Sequence, residues 1–203
     1  MSQEEDIAMI CPSCGASKLN ITSVMYSVPY FNELAMFTMK CPKCGFQHND
    51  VFSSEQRTPS RWTLVVDSEE LLRVRVVRSG SGTVRLPEFG IDIEPGPAAE
   101  SYISNVEGIL YRTKTVVESA INFAETDEQK QKGTEIVSLI EKSLNGKYTF
   151  TLVIEDPAGV SGILPDDMRI VKREDLTPEE SAQLKGAPMF IELFRNEVSE
   201  HKG

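Results

Sequence analysis

Four cysteines carry the strongest chemical signal in this chain, and they come as two copies of one turn. Cys11-Pro12-Ser13-Cys14-Gly15 and Cys41-Pro42-Lys43-Cys44-Gly45 both read C-P-x-C-G, and 26 residues separate Cys14 from Cys41. Two residues between cysteines let one tight turn aim both sulfurs at a single ion. Proline presets φ at the start of the turn, and glycine at its end accepts positive φ, so backbone N–H groups can swing toward the thiolates. Two such turns supply four ligands to a tetrahedral site. Four thiolates leave no open position for water, so the expectation is one structural Zn2+ per chain, held by Cys11, Cys14, Cys41 and Cys44. Iron in a rubredoxin-like site would use the same ligand geometry. Two disulfides do not suit a chain without an export signal, and a redox C-x-x-C would normally be single and set in a βαβ unit. His48 follows four residues after Cys44 and is expected to be an exposed loop residue, not a ligand.

Catalytic groups are otherwise scarce. The two histidines, His48 and His201, supply neither a Ser-His-Asp nor a Cys-His arrangement well, and the adjacent carboxylates Asp166-Asp167 would point apart in a strand. The chain reads as a binding protein, not an enzyme. Its net charge is 21 − 31 = −10, and acidic groups exceed basic ones in residues 1–60, 61–165 and 166–203 alike. Nucleic-acid affinity comes largely from neutralised phosphates, so this balance argues against nucleic acid and for protein partners. Apolar runs fall well short of the roughly 18 residues of a membrane span. The start, Met1-Ser2-Gln3-Glu4-Glu5-Asp6, is acidic where a secretory signal is basic and then apolar. A cytoplasmic location is the expectation.

The elements that must position the cysteines are strands. Leu19 to Tyr30 is rich in Ile, Val, Tyr and Thr, Leu34 to Met39 continues in the same manner, and Asn32-Glu33 stands between them as a hairpin connection. A hairpin joining two metal-binding turns is a zinc ribbon, predicted over residues 1–57 and dependent on metal to fold. Pro59-Ser60 marks a break. Trp62–Val66 follows as a strand, and Leu72-Arg73-Val74-Arg75-Val76 alternates with Leu72, Val74 and Val76 inward. Ser79-Gly80-Ser81-Gly82 then reads as a hairpin turn into Thr83-Val84-Arg85-Leu86, since no phosphate-loop sequence or helix follows it.

Between 104 and 145 the period changes to that of a helical pair. Ser104-Asn105-Val106-Glu107 forms a capping box, and a stripe runs through Val106, Ile109, Leu110, Thr113, Val117, Ala120, Ile121 and Ala124. A second helix starts near Thr126 with Gln129 three residues on, turns Ile136, Val137, Ile140 and Leu144 inward, and stops at Asn145-Gly146. Strand returns at Tyr148–Ile154, and Glu155-Asp156-Pro157-Ala158-Gly159 turns the chain. This order predicts a mainly β body over 58–165, a sandwich or barrel carrying an inserted helical hairpin. The extension 166–203 has a capping box at Thr177-Pro178-Glu179-Glu180 and an apolar run, Met189-Phe190-Ile191, suited to a short helix and an edge strand packing on or near the body.

In this order the residues resemble the ZPR-type zinc-finger proteins. The match takes in the two C-P-x-C-G turns, Val28-Pro29-Tyr30-Phe31-Asn32-Glu33 between them, Asn49-Asp50-Val51, Leu71 through Ser79, and Thr83-Val84-Arg85-Leu86-Pro87-Glu88. It continues with Val106-Glu107-Gly108-Ile109-Leu110 and with Phe150-Thr151-Leu152 through Asp156-Pro157-Ala158-Gly159-Val160-Ser161. The resemblance spans about residues 9–165 and implies a four-cysteine finger followed by an A domain. That domain would be a double-stranded β-helix, jelly-roll-like, with a helical-hairpin insertion. Eukaryotic members carry the finger–A unit twice; here it occurs once, as in archaeal members. The family's Asp-Asp-Pro motif reads Glu155-Asp156-Pro157, and Thr58-Pro59-Ser60-Arg61 lacks the glycine of many relatives.

The resemblance also implies a partner, the GTPase translation elongation factor 1A, and a role in its folding or assembly. Candidate contacts on this chain are Tyr30 and Phe31, because aromatic residues anchor interfaces, and a basic stripe of Arg73, Arg75 and Arg85 on an outward strand face. Asp156 at its turn is a further candidate. Plainer readings stand beside each: ribbon core for the aromatics, a solvated strand face for the arginines, and a turn carboxyl bonding its own backbone for Asp156. The alternative function is a zinc ribbon that binds RNA or the transcription machinery.

Overall fold

A computed structural model describes residues 3–5, 10–16, 19–28, 32–53, 57–96 and 99–185. Twelve strands, named in chain order, lie among them: β1 (Gln3–Glu5), β2 (Asn20–Val28), β3 (Asn32–Lys40), β4 (Gln47–Ser53), β5 (Ser60–Val66), β6 (Arg75–Arg78), β7 (Thr83–Leu86), β8 (Ile91–Ile93), β9 (Tyr102–Asn105), β10 (Phe150–Asp156), β11 (Gly162–Leu164) and β12 (Val171–Asp175). The helices are α1 (Val106–Asn122), α2 (Asp127–Leu144) and α3 (Pro178–Gln183). Three antiparallel sheets result: β1-β2-β3-β4 in the ribbon, and β12-β5-β10-β7-β8 with β11-β6-β9 in the body.

The body core follows from period-2 burial. Along β5, Ser60, Trp62, Leu64 and Val66 point inward, and along β10 Phe150, Leu152 and Ile154 do the same. These side chains share one core with Val84 and Leu86 of β7 and with Val76 and Val77 of β6. Ile163 of β11, Ile109 and Leu110 of α1 and Ile140 of α2 belong to it too. The fold is mainly β with an inserted helical hairpin, as the residue pattern predicts.

Several local expectations change. Glu69–Arg73 is a 3-10 turn, which ends the alternation expected from Leu72, and only Arg75–Arg78 is strand. Ser79–Gly82 is a turn, closed by Gly82 N–H on the Ser79 carbonyl at 3.1 Å, but not a hairpin. It carries the chain from the three-stranded sheet to the five-stranded one. Turn residues report local bending, and the partner of each flanking strand is a long-range matter. The cap of α1 is Asn105, whose side chain accepts from Gly108 N–H; Ser104 lies one residue earlier, in β9. Only the first half of the α1 stripe is buried, through Thr113. Val117, Ile121 and Ala124 are half-buried and Ala120 is exposed, because the hairpin runs on past the body. α2 begins at the capping box of Thr126 and Gln129. Its Gly133 lets the two helices close up: a β-carbon there would sit 2.5 Å from Ile121 Cγ1.

The ribbon departs from expectation at its tip and its second strand. Asn32 and Glu33 pair with Val28 and Ser27 as the start of β3, so they belong to the ladder and not to its connection. His48 lies half-buried in β4 opposite Met39, not in an exposed loop. Beyond residue 165 the sheet continues. Asp167 caps a 3-10 turn, β12 pairs with β5 as an edge strand, and the capping box of Thr177 and Glu180 opens α3. Met189-Phe190-Ile191, expected as an edge strand, lies outside the described residues.

Candidate metal centre

The two cysteine turns are the same structure built twice. Cys11 N–H bonds the Ala16 carbonyl at 2.8 Å and Gly15 N–H bonds the Cys11 carbonyl at 2.9 Å; the second turn repeats this with Cys41, Phe46 and Gly45 at 2.7 and 3.0 Å. Gly15 and Gly45 take φ of 70° and 76°, the left-handed backbone that a side chain resists, so glycine is what permits the reversal. β2 and β3 pair in register from Asn20–Lys40 to Val28–Asn32, and this ladder fixes the separation of the turns.

The four sulfurs lie within 4.8 Å of one another, the one His/Cys/Asp/Glu cluster among the described residues that could hold a metal. Cys11 and Cys44 Sγ are 3.7 Å apart, as are Cys14 and Cys41 Sγ. A zinc–sulfur bond of about 2.3 Å implies tetrahedral edges of about 3.8 Å, so the residues fit the ion. The Cys41 thiol is pulled down to about 7, first by Cys44 N–H and against the cost of burial. At Cys14 the N–H of Ala16 favours the thiolate, yet burial and the neighbouring sulfurs push the thiol up to about 12. Sulfurs this crowded do not all ionise by themselves; a cation must share their charge. Cys11 and Cys41 are buried beside Leu19, with Ala16 and Phe46 packed on them, while Cys44 is exposed. The site is a closed structural centre for one zinc ion.

The far end of the ribbon docks on the body. Leu34 of β3 and Val51 of β4 are buried in the main core, with Met36 against it. Ser101 N–H donates to the Asn49 carbonyl at 3.1 Å, and Ser101 Oγ to Asp50 Oδ1 at 2.7 Å. Leu34, Met36 and Val51 share one sheet face by register, so the opposite face looks outward. That outer face presents Met25 and Phe52, 52% and 51% exposed, with Phe37 edge-on to Phe52 at 5.6 Å. Residue reasoning overlooked this apolar face. Alternation in β2 and β3 could have divided the two faces, but not said which one docks.

The other candidate contacts separate. Tyr30 and Phe31 lie outside the described residues. Arg73 and Arg75 are exposed and flank a shallow polar depression with Ser104 and Asn105, without ion-pair partners among the described residues. Arg85 does not join them. It sits on β7 in the other sheet, bonding Glu155 and Asp92 at 2.7 Å each. Glu155, nearly buried on β10, also holds Arg61 at 2.6 Å, and Arg61 reaches Glu180 of α3. Burial opposes the charge on Arg61, but Glu155 and Glu180 more than offset it.

Asp156 is completely buried and takes the plainer of its two readings, a turn carboxyl bonding its own backbone, and not an exposed contact residue. Its carboxyl accepts from Ser79, Ser81 and Ser161 Oγ at 2.9, 2.6 and 2.7 Å, and from the N–H groups of Ala158, Val160 and Ser161 at 2.8, 2.9 and 2.7 Å. It ties the turn after β10 to the Ser79–Gly82 crossover.

Comparison with known proteins agrees with this geometry. The ZPR1 zinc-finger domain matches residues 5–59, and the ZPR1 jelly-roll domain matches residues 70–185. A ZPR1-like protein of Methanocaldococcus jannaschii is 41% identical over 184 residues, covering 90% of this chain and 91% of that protein. The zinc finger protein ZPR1 of Mus musculus is 28% identical, over 90% of this chain and 41% of its own length. The zinc finger chaperone zpr1 of Schizosaccharomyces pombe is 27% identical, over 74% of this chain and 34% of its own. No helix among the described residues is long and apolar enough to cross a membrane. With a zinc ribbon on Cys11, Cys14, Cys41 and Cys44 docked on a jelly roll that bears a helical hairpin, this chain belongs to the ZPR1 family.

Proposed function

We propose that the protein is a cytoplasmic, non-enzymatic folding or assembly factor for translation elongation factor 1A, with its zinc ribbon as the client-facing module. The observation that carries the reading is the division of the ribbon into a docked face and an exposed apolar one. Leu34 and Val51 fix the ribbon on the body, while Met25, Phe37 and Phe52 stand outward on the paired strands β2, β3 and β4. An incompletely folded client offers apolar surface that its finished form has buried, and such a face binds the former better. A binder shifts an equilibrium only by its differential affinity, so the client's nucleotide would act as the release signal. Arg73 and Arg75 lie on the body and suit an acidic client surface. The chaperone name of the Schizosaccharomyces pombe relative supports the class of function.

The test is a calorimetric titration of the zinc-loaded protein against elongation factor 1A from the same source, with GDP, with a GTP analogue and without nucleotide. The expected result is tight binding that one nucleotide state abolishes. Absence of binding in every state, with one zinc per chain confirmed, overturns the proposal and brings forward the RNA or transcription-machinery alternative.

A further inference from the structure

The outer half of the helical hairpin bounds an apolar groove of about 840 Å3, with the edge strand β8 on its other side. Among the described residues its walls are Val116, Val117 and Ile121 of α1, Ile136 of α2, and Ile91 and Ile93 of β8. Such a surface in water favours an apolar occupant.

Charge gathers at the body end of the groove. Arg78 is 5% exposed, and its guanidinium donates to the Gly82 and Glu100 carbonyls at 3.0 and 3.1 Å. Arg112 of α1 reaches the same place: the two guanidiniums lie 5.6 and 4.7 Å from the centre of the Tyr102 ring. Neither has a carboxylate partner among the described residues, whereas the acidic groups of the lining, Asp92 and Glu94, are paired with Arg85 and Lys185. Burying a cation without a counter-ion is costly, and the planar fork of arginine matches a carboxylate or a phosphate. Burial raises the Tyr102 hydroxyl above its ordinary value, so it stays protonated and able to donate.

The shape of the groove selects the rest of the ligand. Beyond Thr113 the α1 wall offers no side-chain donor or acceptor, and from Arg112 to Asn122 it runs about 15 Å. Gln129 and Lys132 of α2, both exposed, mark the far end near the hairpin turn. A peptide would bring polar backbone groups at every residue along this wall; a hydrocarbon chain brings none. We propose that the groove binds a single apolar chain ending in an oxyanion, a carboxylate or a phosphate, with the head at Arg78 and Arg112 and the chain laid along Val117 and Ile121 toward the hairpin turn. This site is separate from the exposed face of the ribbon and does not depend on the identity of the client.

The test titrates the full chain, zinc-loaded and stripped of lipid, with monomeric tetradecanoate and separately with farnesyl monophosphate, read by calorimetry. The expected result is saturable binding of at least one of them at one per chain. Tetradecyltrimethylammonium, an apolar chain of the opposite charge, should not bind. Arg112→Gln and Val117→Asp should each weaken binding about tenfold or more with zinc content unchanged, and Met25→Ser with Phe52→Ser on the ribbon should leave it as it is. Arg112 is exposed, so its substitution spares the fold; should Val117→Asp fail to fold, Arg112→Gln and the cationic probe decide. No binding of either anion, equal binding of the cation, indifference to Arg112→Gln, or loss on the ribbon substitutions overturns the proposal.

Discussion

The zinc ribbon and the jelly roll are both antiparallel sheets, yet different forces hold them. In the body, β5 and β10 pair over seven residues and press Trp62, Leu64, Leu152 and Ile154 into a shared core. In the ribbon, the cysteine end has Leu19 buried between Cys11 and Cys41 with Ala16 and Phe46 half-buried against them among the described residues, too little apolar surface to offset the entropy of ordering the chain. The ion substitutes for a core at one end, and the neighbouring domain's core substitutes for it at the other through Leu34 and Val51. A sheet secured at both ends can leave its outer face apolar and exposed. The body's outer face is occupied instead by charge, in the run Glu180–Arg61–Glu155–Arg85–Asp92.

Zinc removal should break this contrast most completely. Structural zinc sites bind with an apparent 10–16 kcal/mol, roughly, and that energy is folding energy. Chelation, or Cys41→Ser, should raise amide exchange across residues 10–53 to near-unfolded rates while β5 and β10 stay protected; loss of both together would mean the domains fold as one unit. Asp156→Ala tests the body. It strands six donors, and denaturant unfolding should show about 3–5 kcal/mol of lost stability with zinc content unchanged.

Leu34→Ala probes the joint between the two regions. A buried leucine truncation costs about 2–5 kcal/mol, and here the loss should appear as earlier melting of the ribbon with the metal still bound. Met25→Ser with Phe52→Ser should leave stability within about 0.5 kcal/mol yet weaken client binding about tenfold or more in the same titration. The smallest effect belongs to Glu180. Its carboxyl is held below the ordinary value by Thr177 N–H and then by Arg61. Its contribution is therefore present above that ordinary value and fades as pH falls through the lower, folded one. Glu180→Gln should lower stability at pH 7, and the gap to the native chain should close on acidification.

The metal site was legible because its information is local. Proline, glycine and cysteine at fixed offsets determine a turn and its ligand geometry wherever it sits, and two such turns need only a hairpin between them. The helical hairpin and the strands Ser60–Val66 and Phe150–Asp156 were legible for a similar reason, since burial imposes a period on neighbouring residues. Pairing was not. The turn at Ser79–Gly82 has the composition of a hairpin, yet its flanking strands join different sheets, β6 pairing with β9 and β11 and β7 with β8 and β10, while Asp156, more than seventy residues further along the chain, ties the turn down. Arg73, Arg75 and Arg85 are close in sequence and were read as one stripe. Glu155 holds Arg85 in a second sheet's ion network, while the other two have no ion-pair partner among the described residues. Residue types and spacing by themselves determined a closed four-thiolate metal site, its ligands and the class of fold. Which face of the ribbon is covered, which carboxyl is buried and which arginines remain available are set by contacts between segments far apart in the chain, and only the tertiary structure decides them.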